Sequence, residues 1–197
     1  HATIRRQRQM CIRDRTISHR VWVYPSTLAF PSRLKRAEYK TDMPEDVYRE
    51  FMDSFQNFHQ LPYFRNAATE IRNSKRSASQ FIDAGARIGV GTDAASPLNM
   101  HLEAIWREMS ALVDSGMTPI QVISAATKTN AEILGVFAER GSLEPGKRAD
   151  ILVVEGNPLE DIEVLGRVAL VAKGGALWVT ENSTLEVKGP VNRFQNP

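Results

Sequence analysis

Apolar residues recur along this chain with two different periods, and the change between them divides it. Over residues 44–61, Val47, Phe51, Phe55 and His59 fall four apart and form one helical stripe. Glu45 and Asp46 suit that helix's N-terminus, where the dipole is positive, and Pro62 ends it. A second helix is predicted over residues 67–84, with Ile71, Ala78, Phe81 and Ile82 inward and Gly85 as the left-handed residue that closes it. Residues 86–91 (ARIGVG) read as a short buried strand, since Ile88 and Val90 alternate with glycines that permit close packing. A third helix is expected over residues 98–115 on Leu102, Ile105, Met109, Leu112 and Val113, with Gly116 after it and with Arg107 and Glu108 on its solvated face. Thr118-Pro119-Ile120-Gln121 is a capping box with proline at the first helical position. Its helix is expected to end near Ala126, with a further short one over residues 130–134 capped by Thr129 and closed by Gly135.

From Gly141 the period falls to two. Glu144-Pro145-Gly146-Lys147 fits a type II turn, because proline pre-sets the first central residue and glycine supplies positive φ at the second. Strands are predicted over residues 150–155, 167–173 and 176–180, with Asn157-Pro158 as a turn and Gly174-Gly175 as a two-residue hairpin. At the other end, residues 21–30 (VWVYPSTLAF) read as a strand running into a loop, followed by a charged, irregular stretch over 32–44. Helices alternating with buried strands before residue 141 and a small β unit after it give an α/β class. The expected divisions are a head at 1–15, an α/β part at 16–140, β strands at 141–180 and a fraying tail at 181–197 with a short strand at 184–187.

Composition changes this picture little, whereas charge placement changes it at one end. The 197 residues are 42% hydrophobic and 24% charged, which is globular material of one or two domains. The longest apolar candidate, residues 149–154, contains Asp150 and is far too short to cross a bilayer. Five arginines against Asp14 give residues 1–15 a net charge of +4, while the remainder carries −2. A nucleic-acid arm would use such arginines on phosphates, but no aromatics are interleaved here. The run RQRQMCIRDR instead resembles translated sequencing-adapter read-through, and a head of that origin is expected to pack against nothing. Cys11, the single cysteine, lies within it, so the rest of the chain can form neither a disulfide nor a thiolate metal site. The first residue, His1, points to processing or truncation.

Chemistry is sparse. Histidines stand at 1, 19, 59 and 101 with no HxH or HExxH spacing, and there is no phosphate loop, dinucleotide fingerprint or nucleophile elbow. Asp93 is the informative residue, because it follows the predicted strand at 86–91, and α/β sites lie at the carboxyl ends of strands. A side chain that merely caps a turn is the alternative.

Three linked segments point further. They are GTDA at 91–94, GMTP with AAT across 116–127, and EPGKRADILVVEGNPL at 144–159. Together with VYPSTL at 23–28, they resemble the C-terminal part of the amidohydrolase superfamily, in the branch of imidazolonepropionase-like and Xaa-Pro dipeptidase-like enzymes. The resemblance implies the last part of a (β/α)8 metal-dependent hydrolase barrel, its seventh and eighth strands with their helices, plus strands of a small β-sandwich. It implies one or two divalent metals, zinc first, and hydrolysis of a C–N bond in an amide, cyclic amide or dipeptide by metal-activated water. Asp93 corresponds to the aspartate after the eighth strand, both a metal ligand and the group that takes the water's proton and passes it to the leaving amine. His101 and Tyr24 correspond to positions that line the substrate pocket, although a capping role for His101 and a packing role for Tyr24 remain open.

The departures from that family concern function. Its HxH pair, its carboxylated lysine and two further histidines belong before residue 21, where His1 and His19 are poor substitutes. A barrel takes eight βα units and roughly 250 residues, and two such units are readable here. The expectation is therefore a fragment whose parent is a hydrolase of small-molecule amides or dipeptides, without nucleic-acid or membrane partners. Homo-oligomerisation and compartment stay open. The fragment itself is expected to be inactive and prone to aggregate through unpaired strand edges. The rival is a non-catalytic binding or assembly module in which Asp93 only caps.

Overall fold

In a computed structural model, which describes residues 44–56, 67–92, 103–180, 190 and 192–194, the helices are α1 (Glu45–Gln56), α2 (Ala67–Asp83), α3 (Ala104–Asp114), α4 (Pro119–Ser124) and α5 (Asn130–Ile133). α2, α3 and α5 end alike. Each passes through a glycine with positive φ, Gly85 at 66°, Gly116 at 116° and Gly135 at 73°. Such angles cost L-residues free energy and glycine almost none. The reversal lets the next N–H turn back onto the last helical carbonyls, as in Ala86 to Phe81 at 3.0 Å, Met117 to Leu112 at 3.1 Å and Val136 to Ala131 at 2.8 Å. All three glycines stand at the expected stops.

The start of α4 is as read. Thr118 Oγ1 accepts from the Gln121 backbone N–H, and the Gln121 side chain accepts from the Thr118 N–H at 2.8 Å. Its far end is not. α4 does not stop near Ala126 but continues through a π-helical turn, Ala125–Thr129, directly into α5. Thr129 has helical angles (φ −63°, ψ −41°) and no capping bond, so the expected cap is an interior residue of one continuous path. Thr127 Oγ1 donates back to the Ile123 carbonyl at 2.7 Å, a local bond of the kind that competes with the helical ladder.

The core forms where α3, α4 and the π turn meet. Met109, Ala111 and Leu112 of α3 pack with Val122, Ala125, Val90 and Ile162. Residues 162 and 165 belong to a 3-10 turn (Ile162–Gly166) between the first two strands, so the β part contributes directly to the helical core. Gly166 permits that approach, because a Cβ there would stand 3.0 Å from Trp106.

The expected inward face of α3 is rotated. Met109 and Leu112 are buried as read, but Ile105 is exposed, and Ala104, Glu108 and Ala111 are buried. Glu108, expected in solvent, is only 2% accessible, and Glu103 is buried as well. Arg107 stacks on Trp106 with its guanidinium carbon 3.7 Å from the ring and lies 3.9 Å from Glu163, so it too leaves the predicted solvated face. In α1, Val47 is exposed, whereas His59 lies outside the described residues.

The strands are β1 (Ile151–Val154), β2 (Val168–Lys173), β3 (Ala176–Thr180) and β4 (Asn192–Phe194), in one sheet of order β1-β2-β3-β4. β1 pairs antiparallel with β2, and β2 with β3 through the Gly174-Gly175 hairpin, where both residues have positive φ as a type I′ turn requires. β4 adds parallel to β3, with Val179 opposite Arg193. Residues 192–194 are therefore not frayed, and the strand expected at 184–187 lies outside the described residues, as does the segment at 21–30. Among the described residues, no helix is long and apolar enough to cross a membrane.

Candidate functional site

The segment from Ala86 to Thr92 is the described part of the chain that leads to Asp93, and it departs from the reading. No strand is formed over 86–92 among the described residues. Its side chains nonetheless behave as a buried strand's would, with Val90 only 7% accessible and Ile88 packed against the core. The backbone of Val90 finds its hydrogen bonds on a side chain instead. Asn130 Oδ1 accepts from the Val90 N–H at 3.0 Å, and Asn130 Nδ2 donates to the Val90 carbonyl at 2.7 Å. A carboxamide carries one acceptor and one donor group side by side, so it can satisfy both polar groups of one residue as a neighbouring strand does.

Two local features bring Asn130 there. The π turn before it sets its position on the helical path, with Nδ2 also 3.5 Å from the Ala126 carbonyl. Gly89 leaves the room, since a Cβ at that position would stand 2.5 Å from Asn130 Oδ1 and 2.9 Å from Ile133 Cδ1. Arg87 pairs with Glu132, two residues beyond Asn130, a second tie between the segment and α5.

Asp93, His101 and Tyr24 all lie outside the described residues, as do His1, Cys11, His19 and His59. The described residues thus bring none of the sequence-derived site residues together. Nor do they contain a group of three or more His, Cys, Asp or Glu side chains able to hold a metal ion. A catalytic zinc takes three protein donors of nitrogen, oxygen or sulfur. Asp93 is an oxygen donor of the kind such a site uses.

Sequence reasoning missed Asn130, which it read only as the first residue of a short helix. The available signal was an asparagine, a residue prone to hydrogen-bond backbone groups, placed within a helical pattern. The segment carrying Glu144-Pro145-Gly146-Lys147 has a different character. The type II turn forms as read, with Gly146 at φ 89° and Lys147 N–H bonded to the Glu144 carbonyl at 3.2 Å. Lys147 Nζ lies 3.5 Å from the centre of the Phe137 ring and donates to Ser142 Oγ at 2.6 Å. The Ser142 hydroxyl and Lys147 hold the Glu144 carboxyl below its ordinary range. This turn fastens the chain onto the end of α5, and Gly141 (φ 100°) makes the approach close, since a Cβ there would meet Ala131 Cβ at 2.5 Å.

Comparison with known proteins places these features. Residues 17–177 match the profile of the amidohydrolase family. The imidazolonepropionase of Thermoplasma acidophilum is 34% identical over 88 residues, 45% of this chain and 21% of its own. The ochratoxinase of Aspergillus niger is 39% identical over 103 residues, 49% of this chain and 20% of its own. A crystal structure of a Xaa-Pro dipeptidase with methionine in its active site superposes with a TM-score of 0.56 at 32% identity, covering 68% of this chain and 32% of that one. An amidohydrolase crystal structure gives 0.55 at 28% identity, covering 69% and 33%. The chain spans about a fifth of the length of the curated relatives it matches.

Proposed function

The chain belongs to the amidohydrolase family, and on that premise we propose that it is the C-terminal part of a metal-dependent hydrolase of carbon–nitrogen bonds. In this reading residues 16–140 hold the last two βα units of a (β/α)8 barrel and residues 141–180 hold strands of a small β-sandwich. The observation that carries it is the family match across residues 17–177, and the small share of each relative's length supports a longer parent. An α/β arrangement of helices and strands like that of the dipeptidase structure supports the barrel.

The substrate class is an amide, a cyclic amide or a dipeptide. The names of the relatives, a Xaa-Pro dipeptidase and an imidazolonepropionase, favour a small molecule over a polymer. A divalent cation, zinc first, supplies Lewis-acid polarisation of the carbonyl when bound. Asp93 is the residue of this chain that acts as a ligand and as a base, accepting a proton from water and giving it to the departing amine. His101 and Tyr24 line the substrate pocket.

The test is to express the complete gene and assay the product against Xaa-Pro dipeptides, N-acyl amino acids and cyclic amides, before and after chelation. Hydrolysis of one class, lost on chelation and restored by zinc, is the expected result. Cleavage of none of them by a metal-replete, folded protein would overturn the reading in favour of a binding module.

A further inference from the structure

We propose that Asn130 is a positioning residue, whose carboxamide holds both backbone polar groups of Val90 and thereby fixes the backbone from which Asp93 follows. The inference rests on the reading of Asp93 as the functional carboxylate. Three independent observations converge on it. Both polar backbone groups of Val90 are bonded to one side chain, at 3.0 and 2.7 Å. The residue before Val90 is a glycine whose Cβ would collide with that side chain. The helix that carries Asn130 is interrupted by a π turn just before it, and such turns are rare and frequently mark functional sites.

The arrangement answers a specific need. The apolar contacts of the Val90 side chain are non-directional and by themselves leave the backbone free to slide or tilt. Two antiparallel hydrogen bonds to a planar group fix both position and tilt. Thr92 is two residues beyond the clamp and Asp93 three, so little chain intervenes over which an error could relax. A displacement of about 1 Å in a reacting group can lower turnover a hundredfold, which is the scale of loss expected when the clamp is removed.

The test combines amide exchange and resonance positions in the full chain with turnover of the complete gene product. Asn130→Ala removes both bonds, Asn130→Leu removes them while keeping the volume, and Thr118→Ala weakens the same helical path at its start without touching the pair. Both Asn130 variants are expected to lose Val90 amide protection at least tenfold and to move the Thr92 and Asp93 amide resonances, whereas Thr118→Ala does neither. In the gene product, Asn130→Ala should lower kcat about a hundredfold with KM within a few-fold. Protection restored by leucine would make Asn130 a space-filler and overturn the proposal. Unmoved Asp93 resonances would overturn it too. Should the alanine and leucine variants fail to fold, Asn130→Asp decides. It retains the acceptor for the Val90 N–H and loses the donor to the carbonyl, so Val90 stays protected while the Thr92 and Asp93 resonances move, and unmoved resonances overturn the proposal. Activity that survives Asp93→Asn would instead remove the functional reading while leaving the exchange result standing.

Discussion

The helical region and the sheet treat the same kinds of side chain differently. Around α3 and α4 an inner set of apolar positions is closed off, with Val122 fully buried and Leu112 3% accessible, while Ile105 and Ile120 stay exposed. In β1, by contrast, Leu152 is 52% accessible and Val153 36%, on successive positions that point to opposite faces. The first region builds a core that can hold a backbone segment still, and the second contributes to that core mainly through Ile162 and Leu165 of its connecting turn. The segment leading to Asp93 is attached to the closed region.

The largest expected effect separates the two regions directly. Leu112→Ala should cost about 2–5 kcal/mol, the range for a large-to-small change at a site that cannot collapse, while Leu152→Ala should stay within about 0.5 kcal/mol. Chemical denaturation of both variants measures the contrast, and equal losses would break it. Gly141→Ala is next, at about 1–3 kcal/mol, because it combines an unfavourable φ with a collision against Ala131. It sharpens the comparison by loosening the junction between the regions and neither interior. Thr118→Ala should cost about 1 kcal/mol through its lost capping bond, read as a fall in melting temperature.

The smallest effect is a pH dependence at the same junction. Because the folded Glu144 carboxyl titrates below its unfolded value, its contribution is present above the unfolded pKa and is lost as pH falls through the folded one. Glu144→Gln should remove that part of the acid dependence, and Lys147→Ala should return the Glu144 carboxyl toward its ordinary range in an NMR titration.

Residues with strong local physics were readable. The glycine stops at 85, 116 and 135, the Thr118 box, the turn at Pro145-Gly146 and the Gly174-Gly175 hairpin each follow from the conformational demands of a few neighbouring residues. What depended on tertiary partners was not. Glu108 looks solvated by charge alone and is buried, and Ile105 looks inward by period and is exposed, because the face α3 presents is set by what packs on it. Residues 86–91 have a strand's side-chain pattern, yet the Val90 backbone bonds to an asparagine forty residues away, which no local rule can find. Asp93 lies outside the described residues, and the bonds of Asn130 to Val90, three residues before it, were not legible.

The measurement that tests the central claim most directly is the metal content and turnover of the complete gene product with Asp93 and with Asp93→Asn, both purified without chelator. The account predicts loss of bound zinc together with a fall in kcat of at least about a hundredfold, since both ligation and proton transfer depend on that carboxylate. Unchanged zinc and unchanged turnover in Asp93→Asn would contradict it.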